Sequence, residues 1–137
     1  SKHYDLHAHS TASDGTLTPT QLMQRAHAAG VEVMALTDHD TLDGSKKALA
    51  AGIPEGLHFL TGVEISASRP TSFSGPGSFH LLGYAIRLDD PTLNRTLEKL
   101  QNARPGETNG SKPKLEVRDL TIGLDDAFLG VEAREFV

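Results

Sequence analysis

Asp5-Leu6-His7-Ala8-His9-Ser10, with Ser13-Asp14-Gly15 close behind, sets two imidazoles two residues apart in a run that alternates like a β-strand. Side chains at i and i+2 of a strand share a face, so His7 and His9 can address one metal ion. That face also carries Asp5, where an ordinary half-buried strand would turn apolar residues inward. A polar inward face needs a partner, and imidazole with carboxylate is the usual ligand set of Zn²⁺, Mn²⁺ or Fe²⁺.

An HxH pair alone is a weak signal, and the rest of the chain decides its reading. His39 lies in Leu36-Thr37-Asp38-His39-Asp40-Thr41, Glu64 in Thr61-Gly62-Val63-Glu64-Ile65-Ser66, and His80 in Phe79-His80-Leu81-Leu82-Gly83-Tyr84. Each sits in or beside an apolar run, where an unpaired charge or imidazole is costly to bury. With Asp14 these make more potential ligands than one tetrahedral ion can use.

The pattern resembles the PHP family, the polymerase and histidinol phosphatase superfamily of metal-dependent phosphoesterases. The likeness rests on the four segments above, the Ser13-Asp14-Gly15 turn and Thr18-Pro19, in the family's order over residues 1 to 104. It implies an α/β fold, part of a distorted (β/α)7 TIM-like barrel, with two or three divalent ions at the C-terminal ends of the strands. By position, His7 and His9 would bind a first ion and Asp14 and His39 a second. Glu64 would bridge two ions and His80 would bind a third. Asp14, His39 and Glu64 would then be the catalytic residues, with manganese the first choice of metal and zinc or iron the alternatives. The resemblance is greater to small bacterial phosphoesterases of nucleotides or short oligoribonucleotides than to histidinol phosphatases or polymerase domains.

One departure stands out. The family draws further ligands, a late His and an Asp-x-His, from the second half of its barrel, and no histidine follows His80 here. Residues 105–137 match poorly and offer only Asp119, Asp125 and Asp126 as late carboxylates. The expectation is a fragment or shortened form, with a PHP domain over 1–104 and a linker and tail over 105–137 that completes or covers the barrel. Metal positions in such a chain would be partly filled or empty, and its turnover weak or absent.

At 137 residues the chain is one domain's worth, but short for a barrel that normally needs about 200 or more. Half a barrel, or one lacking a sector, fits that length. A net charge of −5 argues against a nonspecific nucleic-acid surface and stable duplex DNA binding. Cysteine is absent, so any zinc must take N and O ligands, and no disulfide can form. With no signal-like stretch and no run of about 18 apolar residues, the expectation is a cytoplasmic protein without a membrane span.

The remaining segments read as alternating strands and helices, which suggests a parallel α/β arrangement. Thr18-Pro19-Thr20-Gln21 is an N-cap, a first-turn proline and a capping-box glutamine, opening a helix through Ala29 that Gly30 closes. Leu22, Ala26 and Ala29 share a stripe of it. Val31–Thr37 is the second strand, and Thr41 or Asp43 caps a helix running to Ala51. Leu57–Ile65 is the third strand and Phe79–Ile86 the fourth, joined through a Pro/Gly/Ser-rich loop at 69–77. Asp90-Pro91 starts a helix whose Leu93, Leu97 and Leu100 recur at i, i+4 and i+7. A connector at 107–113, a strand at 114–122 and a short helix at 125–137 are expected beyond it.

His3, His27 and His58 lack a motif and read as structural or exposed. Asp5, Asp38 and Asp40 are open between turn or cap residues and carboxylates supporting metal-bound imidazoles, which commonly donate their second ring N–H to such a group. Ser10 and Ser66 read as hydrogen-bonding support, since neither has an assignable activating base. Clustered ions would activate a water and polarise the phosphoryl group, with Arg69 the first candidate to hold substrate phosphate, then Arg87 and Arg104. The expected partner is a phosphorylated small molecule, a nucleotide or a short RNA, and oligomeric state is left open. Two other classes remain: a noncatalytic PHP metal-binding or scaffold module, and an amidohydrolase-like C–N hydrolase, which also opens with HxH. Asp14-Gly15 and Thr37-Asp38-His39-Asp40 weigh against the latter.

Overall fold

The computed structural model of the chain describes residues 2–67 and 79–102. They form β1 (His3–Ala8), α1 (Pro19–Ala28), β2 (Val31–Leu36), α2 (Asp43–Ala51), β3 (His58–Ala67), β4 (Phe79–Tyr84) and α3 (Pro91–Gln101). The sheet runs β1-β2-β3-β4 and curls as half of a barrel. The connector, strand and helix expected beyond 107, the loop at 69–77, Arg69, Arg104 and the late carboxylates lie outside the described residues.

Local chemistry sets the helix starts. Thr18 and Gln21 close a reciprocal capping box at α1, with the Thr18 hydroxyl accepting from the Gln21 N–H at 3.2 Å and Gln21 Oε1 from the Thr18 N–H at 3.1 Å. Its buried stripe is Pro19, Met23 and Ala26, while Ala29 is exposed as the C-cap, so the expected stripe shifts by one row. At α2 neither expected cap serves directly. Leu42 holds the N-cap position without a side-chain bond, and the Thr41 hydroxyl accepts the Asp43 N–H at 3.2 Å from just outside. Asp90 caps α3 by accepting the Leu93 N–H at 2.8 Å.

The strands correct one expectation. β1, β2 and β3 are parallel, but β4 pairs antiparallel with β3, from Gly62 opposite Tyr84 to Ala67 opposite Phe79. A parallel crossover takes a dozen or more residues, usually with a helix, and the short stretch between β3 and β4 carries no helical pattern. The sheet is therefore mixed.

Two apolar clusters hold the helices on it. Met23, Ala26, Met34, Ala48 and Leu57 join α1 and α2 to β2. Val63, Ile65, Phe79, Leu93, Leu97 and Leu100 join α3 to β3 and β4. Side chains alternate along a strand, so burying Val63 and Ile65 against α3 turns Glu64 to the opposite face. Ser66, His80, Leu82 and Tyr84 share that face through the cross-strand pairs Glu64–Leu82, Ser66–His80 and Gly62–Tyr84. Polar and titratable groups thus collect on the face away from the helices.

Candidate metal centre

Glu64 is 7 % exposed and sits among four imidazoles. Its Oε2 lies 3.2 Å from His7 Nε2, 3.1 Å from His9 Nε2 and 3.4 Å from His39 Nδ1, and its Oε1 lies 3.4 Å from His80 Nδ1. Backbone bonds fix this placement. The Glu64 N–H donates to the Asp38 carbonyl at 3.1 Å and the Asp40 N–H to the Glu64 carbonyl at 3.0 Å, tying the turn that carries His39 to β3.

Asp14 approaches from the loop after β1, its Oδ2 3.3 Å from His39 Nε2 and its Oδ1 3.7 Å from His9 Nδ1. Gly15 lets that loop close. A Cβ there would collide with the His9 carbonyl. The rings of His9 and His39 stack with centroids 4.4 Å apart.

These side chains fall into three overlapping groups, each with ligand atoms within 4.8 Å of one another: His7, His9 and Glu64; His9, Asp14 and His39; His39, Glu64 and His80. Ligand atoms of a tetrahedral ion with bonds of about 2.0–2.1 Å lie about 3.3 Å apart. The 3.1 Å between His7 Nε2 and His9 Nε2 is close to that spacing. Two atoms of the cluster, His9 Nδ1 and His80 Nδ1, are buried and have no hydrogen-bond partner among the described residues, where the nearby carboxylates are too far or misaligned. The donor set fits divalent ions.

Burial, reinforced by the neighbouring His39, lowers the His9 pKa below its ordinary 6.5, against the opposing pull of Glu64 and Asp14. The shift favours the neutral imidazole, the form that ligates. The unfolded chain takes up this proton first, so the contribution to stability is full above 6.5 and declines as pH falls below it.

The supporting carboxylates accept hydrogen bonds from backbone N–H groups and hydroxyls of the ligand-bearing segments. Asp38, 1 % exposed, accepts the Ser10 N–H at 2.6 Å, the Ser10 hydroxyl at 2.8 Å and the Ser13 hydroxyl at 2.8 Å, fastening the loop that bears Asp14. Gly44 belongs to this arrangement, since a Cβ would strike the Asp38 carboxylate. Asp40, at a positive φ of 54°, accepts the Ser66 N–H at 2.8 Å and hydroxyl at 3.0 Å. Its carbonyl takes the Gln101 amide N–H from α3 at 2.6 Å. Asp5 accepts the His7 backbone N–H at 3.2 Å. Ser10 and Ser66 are hydrogen-bonding support, as expected.

A cleft of about 500 Å³ opens beside the cluster, lined by Ser13, Asp14, His39, Asp40, Asp43, Ser66 and Gln101 among others. Arg87 is not on its wall. The Arg87 guanidinium instead pairs with Asp90 at 3.2 Å, at the start of α3. His3, His27 and His58 are exposed and stand apart from the three groups. Sequence reasoning missed Gln101, the bond of Ser13 to Asp38 and the contact of Tyr84 with β1, though Ser13 and Tyr84 stand in quoted segments.

The sequence pattern of the PHP domain matches residues 5–105. This chain belongs to the PHP domain family. It is 40% identical over 132 residues to a 5'-3' exoribonuclease of Haemophilus influenzae, covering 96% of this chain and 45% of that protein. It is 35% identical over 133 residues to a 3',5'-nucleoside bisphosphate phosphatase of Chromobacterium violaceum, covering 97% and 45%. A Bifidobacterium adolescentis structure named as a metal-dependent phosphoesterase aligns at a TM-score of 0.65 with 31% identity, over 76% of this chain and 35% of that one. This PHP chain thus spans about half the length of the curated relatives it matches. Among the described residues no helix is long and apolar enough to cross a membrane.

Proposed function

We propose that the cluster is the metal centre of a phosphoesterase acting on a nucleotide or short oligoribonucleotide. The observation that carries this reading is Glu64, a buried carboxylate within 3.1–3.4 Å of four imidazoles. His7, His9 and Glu64 would hold one ion, Asp14 and His39 a neighbour, and His80 a third. Manganese is the first choice.

Bound ions supply Lewis acidity and bring the pKa of a water towards neutrality. The protein's part is positional. His9 stays neutral, Asp14 presents an exposed carboxylate at the cleft, and the loop behind it is held by Asp38. Ser10 and Ser66 are occupied as donors to Asp38 and Asp40, which favours direct attack by water over a covalent intermediate. A cleft of about 500 Å³ suits a ligand of nucleotide size. Arg69 remains the candidate for holding phosphate, and the names of the relatives favour nucleotide or RNA substrates. The lack of cysteine agrees with a reducing cytoplasm.

The test is hydrolysis of a nucleoside 3',5'-bisphosphate and a 5'-phosphorylated oligoribonucleotide by the protein with Mn²⁺, before and after exhaustive chelation. Phosphate release that chelation abolishes and Mn²⁺ restores is expected. Full activity after chelation overturns the metal mechanism, and amide turnover without phosphate release makes the protein a C–N hydrolase.

A further inference from the structure

β1 is exposed along almost its whole length and His7 keeps 43% of its side-chain surface, so burial contributes little to fixing that imidazole. The ladder is also irregular at this point. Between the pairs Asp5–Met34 and Ala8–Leu36, two β1 residues, Leu6 and His7, face the single β2 residue Ala35. Such a bulge re-aims a side chain and interrupts ladder pairing. The group it displaces is one peptide unit, the Leu6 C=O and the His7 N–H.

Both ends of that unit are taken by side chains. The Tyr84 hydroxyl donates to the Leu6 carbonyl at 2.7 Å, and Asp5 Oδ1 accepts the His7 N–H at 3.2 Å. Tyr84 lies on β4, at the far end of the sheet order from β1, so its reach to Leu6 spans the curl. It shares a face with Glu64 and His80. A peptide plane held at both ends resists rotation, and it sets the direction in which the His7 side chain leaves the strand.

We propose that Tyr84 and Asp5 are positioning residues for His7: they clamp the Leu6–His7 peptide and so aim the His7 ring at the ion shared with His9 and Glu64. Tyr84 thereby couples the β4 side of the centre to the β1 side. The inference rests on the ligand assignment proposed above, and deepens it.

The experiment is Co²⁺ and Mn²⁺ titration of the 137-residue protein and of Tyr84→Phe, Asp5→Ala and Asp5→Asn, reading affinity and the Co²⁺ d–d spectrum. Far-UV circular dichroism of each chelated form checks the fold. Loss of an outer partner weakens metal affinity by about 10 to 100-fold. That loss is expected for Tyr84→Phe and Asp5→Ala, with a shifted Co²⁺ band. Asp5→Asn keeps an acceptor for the His7 N–H and restores binding and spectrum towards wild type. If wild type binds neither ion, the ligand assignment fails and the clamp with it. If wild type binds and both Tyr84→Phe and Asp5→Ala match it in affinity and spectrum, the clamp alone is overturned. Should Tyr84→Phe fail to fold, the Asp5 pair decides by the same readouts.

Discussion

A carboxylate among four imidazoles has two physical resolutions: the rings protonate, or a cation takes the protons' place. The lowered pKa of His9 works against the first, and the two Nδ1 atoms with no hydrogen-bond partner among the described residues favour the second. Glu64→Gln separates charge from shape at this point. The amide fills the same volume and costs less to bury than a carboxylate, so at pH 8 the chelated variant should melt no lower than wild type. Mn²⁺ affinity should nonetheless fall by about tenfold or more, because at least that much attends loss of a mere outer partner; calorimetric titration measures it, and unchanged affinity would remove Glu64 from the centre. At this scale the sequence was informative about candidate ligands and poor about their support. His7, His9, Asp14, His39, Glu64 and His80 stand in short segments that mark them, and the fold gathers all of them. The bonds of Asp38 to Ser10 and Ser13, and of Asp40 to Ser66 and Gln101, join residues far apart in the chain, and no local pattern encodes which carboxylate meets which hydroxyl.

Elements were legible where their signals are local. The Thr18–Gln21 capping box and the Leu93, Leu97, Leu100 stripe depend on neighbours within a few residues, and both are realised. The direction of β4 depends on a long-range pairing, and the expected parallel arrangement gave way to a β3–β4 antiparallel pair. That pair lets His80 and Tyr84 enter the same face as Glu64 from the opposite chain direction. The apolar stripe of α3 then secures the outer side of β3 and β4. Leu97, 2% exposed within that cluster, tests the division of labour between the two faces. Leu97→Ala should cost about 2–5 kcal/mol of stability, read from urea unfolding of the chelated chain. The fraction that remains folded should keep wild-type Co²⁺ spectra, since α3 meets the centre only through the Gln101 bond to the Asp40 carbonyl among the contacts described. A spectral change in the folded fraction would mean that α3 shapes the metal centre as well as the core.

For the whole molecule, the question is whether the metals build the fold or are built into it. Neither apolar cluster includes a proposed ligand, and the helices pack on the face away from the imidazoles. The Ser10–Asp38, Ser66–Asp40 and Tyr84–Leu6 bonds tie the ligand-bearing segments together through protein groups. Small structural zinc domains behave differently, because metal binding there supplies the folding free energy. Chelation of this protein should therefore leave its far-UV circular dichroism unchanged and lower only its melting temperature. The size of that shift follows from linkage: ion at 100 times its dissociation constant adds about 2.7 kcal/mol per site. Among the described residues each of the three groups offers three protein ligand atoms, fewer than the four a closed tetrahedral site uses, which leaves positions for water or further groups. Affinities should be modest and the stabilisation correspondingly small. Titrating Mn²⁺ while following the melting temperature checks both statements. A graded rise that saturates at high ion concentration is expected, whereas collapse of the circular dichroism on chelation would show that the centre is a structural part of this fold.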